Sequence, residues 1–290
     1  MSSVPSYGSW PPSAAEPPED PSRPAQDSSR WAPWTAPAAL AVAFSFAVMG
    51  AIVVGIVGAI FGASLGDPPP AVNIVATVVQ DGAFIGAALL LASRAGRVVP
   101  AQFGIVRTRI APALGWMTAA YVSYIALGQL WAQVVDTNKT DKLPDSLGAD
   151  ESTVALVAVC VVVTVIAPLA EEFFFRGYFF GALRNWHGPW LAALITGLVF
   201  GAIHVGSADP VFLVPLAVLG FMLCIVRWQT GSLLPCIGLH ALNNGLAFAV
   251  TEKWSAGGGL ALVVGAVAVT MLICSAFLRP SAAPAARPLI

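Results

Sequence analysis

Residues 152–184 read STVALVAVCVVVTVIAPLAEEFFFRGYFFGALR. From Ser152 to Ala170 the run carries no charged side chain; Glu171, Glu172 and Arg176 then arrive inside the same apolar stretch. A helix that crosses a bilayer needs about 20 mostly apolar residues. At about 1.5 Å per residue these 33 residues reach roughly 50 Å, more than a simple crossing requires. Pro168 lies inside the run, so a kink or a tilt is expected there. Moving outward, seven further stretches have the length and apolarity of spans: 37–64, 71–93, 111–135, 188–206, 210–227, 232–250 and 257–278. The expected fold is all-α, a polytopic membrane protein with about eight transmembrane helices, in which the fourth to seventh form one bundle.

Composition agrees. The chain of 290 residues is 57% hydrophobic and only 10% charged, with a mean hydropathy of +0.79. Soluble domains carry about 25% charged residues, so a water-facing surface could not be assembled from this sequence. The net charge of −1 says nothing about nucleic acid, but no basic patch with interleaved aromatics appears, and no nucleic-acid partner is expected. Cys160, Cys224, Cys236 and Cys274 sit singly in apolar runs, without zinc spacing or a disulfide framework, and read as packing residues. Residues 1–36, rich in Pro, Ser and Ala, read as a disordered tail. They lack the basic start and apolar stretch of a secretory signal. Residues 279–290 read as a second tail. Between them lie the first helices and loops (37–150), a core (151–250) and a last helix (251–278).

Orientation follows from Lys and Arg, which favour the cytoplasmic side. With eight spans, one side holds Arg23, Arg30, Arg94, Arg97, Arg107, Arg109, Arg184, Arg227, Arg279 and Arg287. The other holds only Lys139, Lys142 and Lys253. Both termini are therefore expected in the cytoplasm of a cell membrane. Trp31, Trp34, Trp116, Trp131, Trp186, Trp190, Trp228 and Trp254 fall near span ends, as an aromatic belt would.

Ionisable residues inside a membrane are expensive and mark function by default. Four groups qualify: Glu171-Glu172 with Arg176, Phe200 with His204, His240 with Asn243-Asn244, and Gln80-Asp81. Glu172 and Arg176 are an i, i+4 pair with the acid on the N-terminal side, the favourable order. Glu171 is turned about 100° away and has no such partner in its own helix, so it is the carboxylate free for chemistry. His240 and Asn244 share a helix face, whereas Asn243 is expected to point elsewhere. At about 1.5 Å per residue, Glu171 lies about 20 Å from its cytoplasmic end, His204 roughly 24 Å, His240 roughly 12 Å and Asn244 roughly 18 Å. Three helices thus bring polar groups to a broadly similar layer. Asp81 with Gln80 reads as an interhelical tie or a neighbour of the site, and His187 as interfacial. The G-x-x-x-G spacings at Gly58/Gly62, Gly82/Gly86, Gly177/Gly181 and Gly197/Gly201 mark possible close helix packing. Each polar group also has a bland reading, as a buried ion pair, a carbonyl-bonded histidine or packing glue.

The ordered set Glu171-Glu172-x-x-x-Arg176, Phe200-x-x-x-His204 and His240-x-x-x-Asn244 resembles the CAAX protease and bacteriocin-processing family of intramembrane endopeptidases. Phe175-Arg-Gly-Tyr178 and Ser232-Leu-Leu-Pro235 add to the likeness, which covers about residues 150–250. The resemblance implies that Glu171 and His204 activate the attacking water, with Glu171 as general base. His240 and Asn244 would stabilise the oxyanion, Glu172 and Arg176 would hold the site together, and Phe200 would pack near His204. Zinc on Glu171, His204 and His240 with a water is one implied alternative, although the H-E-x-x-H helix of soluble zinc proteases is absent. Asn244 beside His240 suits an oxyanion donor better than a zinc neighbour, so a glutamate-dependent reaction without a cofactor is the preferred expectation. The implied partner is a membrane-associated peptide or protein. The competing expectations are a non-catalytic scaffold or immunity-type protein, and a haem protein with His204 and His240 as axial ligands.

Overall fold

The structure, a computed structural model, describes residues 31–64, 66–136, 139 and 143–278. The expected tails at 1–30 and 279–290, with four of the arginines counted above and Lys142, lie outside the described residues. The helices are α1 (Thr35–Ile60), α2 (Pro70–Arg94), α3 (Ile110–Ala132), α4 (Thr153–Ala202), α5 (Pro210–Thr230), α6 (Leu234–Thr251) and α7 (Ala256–Ser275). Short helical turns at Pro100–Phe103 and Leu143–Ser146 occupy the links. No strand forms among the described residues; Val205 and Ala208 make one isolated bridge.

Local chemistry sets the helix ends. Ser152 caps α4 by accepting from the Ala155 N–H at 3.1 Å, and Ser255 caps α7 through the Gly258 N–H at 3.2 Å. Asp209 caps α5 just before Pro210, whose missing N–H costs nothing at that position. Gly231, at φ 66°, closes α5 in a left-handed conformation that suits glycine.

Six helices are long and apolar enough to cross a membrane: α1, α2, α3, α4, α5 and α7. The count of eight is thus not what length and hydropathy return. Two expected spans fall together in α4, which is interrupted at His187 (φ −128°, ψ 28°) and Gly188 (φ 80°, ψ 179°). The expected seventh span corresponds to α6, where His240, Asn243 and Asn244 dilute the apolar run. The chain is a multi-pass, all-helical membrane protein. Its outward side chains agree, since Phe44, Phe46, Met49, Ile52, Val53 and Ile56 of α1 are all exposed and need lipid to cover them.

Pro168 does not break the helix. Ile166 and Ala167 keep helical angles on its N-terminal side, and the chain instead widens into π turns at Val162–Ile166 and Phe173–Phe179. The first helix starts at Thr35, inside the segment read as tail. Trp31, read as part of an aromatic belt, is buried against Phe103 (5.0 Å between ring centroids) and Tyr178 (4.5 Å). Trp34, Trp116, Trp186, Trp190 and Trp254 are exposed.

The second part of α4 packs along α5, and glycine makes the approach possible. A Cβ on Gly197 would lie 2.7 Å from the Ala217 carbonyl and 2.8 Å from the Phe221 nitrogen; one on Gly201 would lie 2.6 Å from the Leu213 carbonyl. Gly220 faces Gly197 and the Phe200 side chain from α5. Beneath the bundle, the Leu233 N–H donates to the Gly104 carbonyl and the Ser232 hydroxyl to the Val106 carbonyl, each at 2.7 Å, fixing the start of α6. Gly82 and Gly86 meet nothing within 4 Å, so their spacing marks no contact.

Gly197→Ala is therefore expected to destabilise the folded protein by about 1–3 kcal/mol through overpacking. Gly82→Ala should be neutral or stabilising by up to about 1 kcal/mol from helix propensity. Thermal unfolding of the two purified variants in the same detergent checks the pair.

Candidate active site

The short α-helical segment Ala167–Glu172 lies between the two π turns and presents both glutamates. A π turn shifts the register by which later side chains face a neighbour, and such turns recur at functional sites. Glu172 and Arg176 are completely buried and joined through Oε1 and Nη1 at 2.7 Å. The same Oε1 receives Nδ1 of His240 from α6, also at 2.7 Å. Arg176 donates a second bond from Nη2 to the Gly220 carbonyl at 3.0 Å, and its guanidinium lies 4.4 Å from the centre of the Phe200 ring. One carboxylate thus holds a cation from its own helix and an imidazole from another.

This anchoring leaves the other edge of the His240 ring facing Glu171. Nε2 lies 3.9 Å from Glu171 Oε2, beyond hydrogen-bond reach. Glu171 is 14% exposed whereas Glu172 is fully buried, so of the two glutamates Glu171 is the one a reactant can reach.

His204 sits just past the C-terminal end of α4, half-buried. Its Nδ1 lies 2.7 Å from the Phe200 carbonyl. A carbonyl can only accept, so Nδ1 carries the proton of that bond and Nε2 of the neutral ring is left as an acceptor. Phe200 joins the two histidines: its ring centroid is 5.1 Å from His204 and 5.8 Å from His240.

Asn244, one turn beyond His240, donates from Nδ2 to the Val163 carbonyl at 3.0 Å. The π turn explains that partner. The Ala167 N–H bonds the Val162 carbonyl five residues back, so the same register would give Val163 to residue 168. That residue is proline and has no N–H. Asn244 supplies the missing donor from another helix, as membrane interiors demand. Asn243 does not point elsewhere: its Nδ2 reaches Asn244 Oδ1 at 3.3 Å. Helical rotation alone placed it on another face, and a long amide side chain spans the difference. The carbonyls of Val163 and Gly220 were invisible to a reading of side-chain motifs. Only the proline hinted at the first.

Asp81 of α2 is 2% exposed and lies within electrostatic reach of Glu171. One turn on, Phe84 meets Phe174 at 5.0 Å and Phe175 at 5.7 Å. His187 lies beside exposed Trp186 at the break in α4, the rings 4.4 Å apart between centroids and tilted by 46°. No group of three or more His, Cys, Asp or Glu side chains that could hold a metal ion forms among the described residues. Nδ1 of His204 and of His240 is engaged, which leaves Nε2 of each as the free nitrogen.

The chain is similar to an uncharacterized 24.3 kDa protein of Escherichia coli, 32% identical over 139 residues that cover 47% of this chain and 62% of that one. It is similar to uncharacterized protein YyaK of Bacillus subtilis (strain 168), 32% identical over 128 residues, 40% of this chain and 43% of the relative. UPF0177 protein YxdF of Lactococcus lactis subsp. lactis (strain IL1403) is 30% identical over 80 residues, 28% of this chain and 42% of that one. The chain thus spans roughly half of the length of the curated relatives it matches. No solved structure matches. The model of the type II CAAX prenyl endopeptidases, Rce1-like, matches residues 153–246, which hold all three motifs. Over residues 153–246 the chain is therefore similar to the type II CAAX prenyl endopeptidases, Rce1-like.

Proposed function

We propose that this protein is an intramembrane endopeptidase that hydrolyses a peptide bond of a membrane-associated protein or peptide, with Glu171 as the general base. The observation that carries the reading is the gap between Glu171 and His240. The Glu172 bond holds the imidazole so that Nε2 faces Glu171 Oε2 across 3.9 Å. A base and a potential donor kept apart at that distance are not a structural tie. Water can bond both sides of such a gap.

In the proposed reaction a water molecule beside Glu171 gives its proton to the carboxylate as its oxygen attacks the carbonyl carbon. The free Nε2 of His204 accepts from the same water and orients it. The oxyanion that forms takes a hydrogen bond from His240 Nε2, which donates when the ring carries both protons, and from the Asn244 amide. Glu171 then returns its proton to the leaving amine as the carbon–nitrogen bond breaks. Arg176 and Glu172 touch no reactant; they hold His240. The distribution of arginine and lysine supports a further part of the proposal, a cell-membrane location with both termini in the cytoplasm. No step uses a metal.

Glu171→Gln is expected to lower cleavage by about 10²–10⁴-fold, the worth of a general base, with the thermal midpoint retained. The membrane peptidome of cells carrying wild-type or Glu171→Gln protein reads this out, and identical peptidomes would sink the assignment. Arg176→Met should act in the opposite way. It leaves Glu172 short of its cation at a cost of about 3–5 kcal/mol, and Glu172→Gln added to it should restore part of that loss. Asn244→Ala should cost both properties: about 10²–10³-fold in rate from the lost oxyanion donor, and about 1–3 kcal/mol from the orphaned Val163 carbonyl. Once a cleaved peptide is in hand, purified enzyme treated with a strong chelator should retain full activity. Loss on chelation with recovery on added zinc would overturn the metal-free route.

A further inference from the structure

Charge is sorted by end of the bundle. Arg94 and Arg97 lie where α2 finishes, Arg107 and Arg109 just before α3, Arg184 just before the break in α4, and Arg227 in the last turn of α5. Contacts tie these segments into one end. Trp31 packs on Phe103 and Tyr178, and its carbonyl accepts from Asn185 Nδ2 at 3.4 Å. The Arg227 guanidinium lies against Gly104, and the Thr108 hydroxyl donates to the Thr230 carbonyl at 3.3 Å. Among the described residues no Asp or Glu stands at this end. The carboxylates of the links, Asp67, Asp136, Asp145, Asp150, Glu151, Asp209 and Glu252, stand at the opposite ends of the helices. There Asn73 meets the Ser146 carbonyl and Trp131 the Val211 carbonyl.

At the arginine end a cavity of about 270 Å³ opens between the link that follows α2 and the end of α7. Val99, Pro100, Ile105, Phe277 and Leu278 give it apolar walls, and Arg107 is its charged member. The walls are fixed. Leu233 donates to the Gly104 carbonyl and Ser232 to the Val106 carbonyl, and Val99 N–H donates to Gln102 Oε1 at 3.0 Å. At roughly 30 Å³ per water the space equals about nine waters, enough for a phosphate with its glycerol and too little for a whole lipid. Beyond it Phe277 and Ile273, one turn apart at the end of α7, are both exposed and offer a track for a hydrocarbon chain.

The chemistry selects the occupant. A guanidinium matches phosphate oxygens with its planar fork of donors. A soluble anion gains nothing from the apolar walls, and a zwitterionic headgroup finds no carboxylate at this end for its ammonium. Basic pockets between membrane helices take the headgroups of anionic lipids.

We infer that this cavity binds the headgroup of an anionic phospholipid, with the phosphate on Arg107 and the chains along the end of α7. The bound lipid braces the link to which the start of α6 is tied, and α6 carries His240. The site stands apart from the protease reading, so its test avoids cleavage.

The full chain is purified in a neutral detergent at physiological ionic strength. Its thermal midpoint is followed with phosphatidylglycerol, phosphatidylcholine or inorganic phosphate added at the same concentrations. Phosphatidylglycerol should raise the midpoint as a bound ligand does, and the other two should leave it in place. Arg107→Gln should raise the phosphatidylglycerol concentration for half the effect by about tenfold or more, the worth of one charge-assisted hydrogen bond. Arg94→Gln, which changes an exposed arginine outside the cavity, should leave that concentration nearly unchanged because salt screens it. Equal stabilisation by phosphatidylcholine or by phosphate alone would overturn the site without needing any variant. An equal loss in Arg94→Gln would overturn it too, since it marks attraction to overall charge.

Discussion

Oε1 of Glu172 is the atom around which the bundle is organised. It takes Nη1 of Arg176 and Nδ1 of His240, both at 2.7 Å, in a place water does not reach. A bare carboxylate there would be prohibitive, and so would a bare guanidinium. Each is tolerable because the other is present, and the histidine extends the pair into a second helix. The consequence is directional. With one nitrogen held, the His240 ring can turn only one edge toward Glu171, so a structural ion pair sets the geometry of the neighbouring carboxylate. Two adjacent glutamates acquire different jobs because a helix turns about 100° between them.

The backbone accounting is equally strict. In a bilayer every carbonyl needs a donor from protein. Pro168 takes one donor away in the segment that presents the glutamates, and the π turn before it selects Val163 as the carbonyl left over. Asn244 answers from α6. The amide proposed to face an oxyanion is therefore also the clamp that keeps α6 on the glutamate helix. A residue with two duties tolerates replacement poorly, whichever duty is measured. Gly197, Gly201 and Gly220 act at the same level, by letting α5 come close enough for its Gly220 carbonyl to meet Arg176.

Membrane class, helical architecture and the three motif segments were legible in the amino-acid sequence. Apolar run length and the cost of charge in lipid are local properties that need no partner. The Glu172–Arg176 pairing was legible too, because i, i+4 geometry belongs to a single helix. The exact count of spans is not confirmed. The sequence places a boundary between 184 and 188, where the backbone angles at His187 and Gly188 break the helix. Taken as one continuous helix, however, α4 is a single long apolar stretch, and α6 is not among the six helices long and apolar enough to cross. Trp31 looked like an interfacial anchor because position along the chain does not reveal that Phe103 and Tyr178 wait to cover it.

The site divides along the same line. Sequence alone determined that Glu171, His204, His240 and Asn244 stand in apolar surroundings where polar groups are costly, and that Glu171 lacks a partner in its own helix. Only the tertiary structure decided which atoms meet: that His240 leans on Glu172 rather than Glu171, that Asn244 serves a carbonyl freed by proline, that Asn243 bonds Asn244, and that Phe84 of α2 packs against Phe174 and Phe175. Helical rotation and bilayer cost act within one segment and can be counted along it. Contacts between helices depend on register and on the space that glycine and π turns leave, and these are settled only when the helices pack.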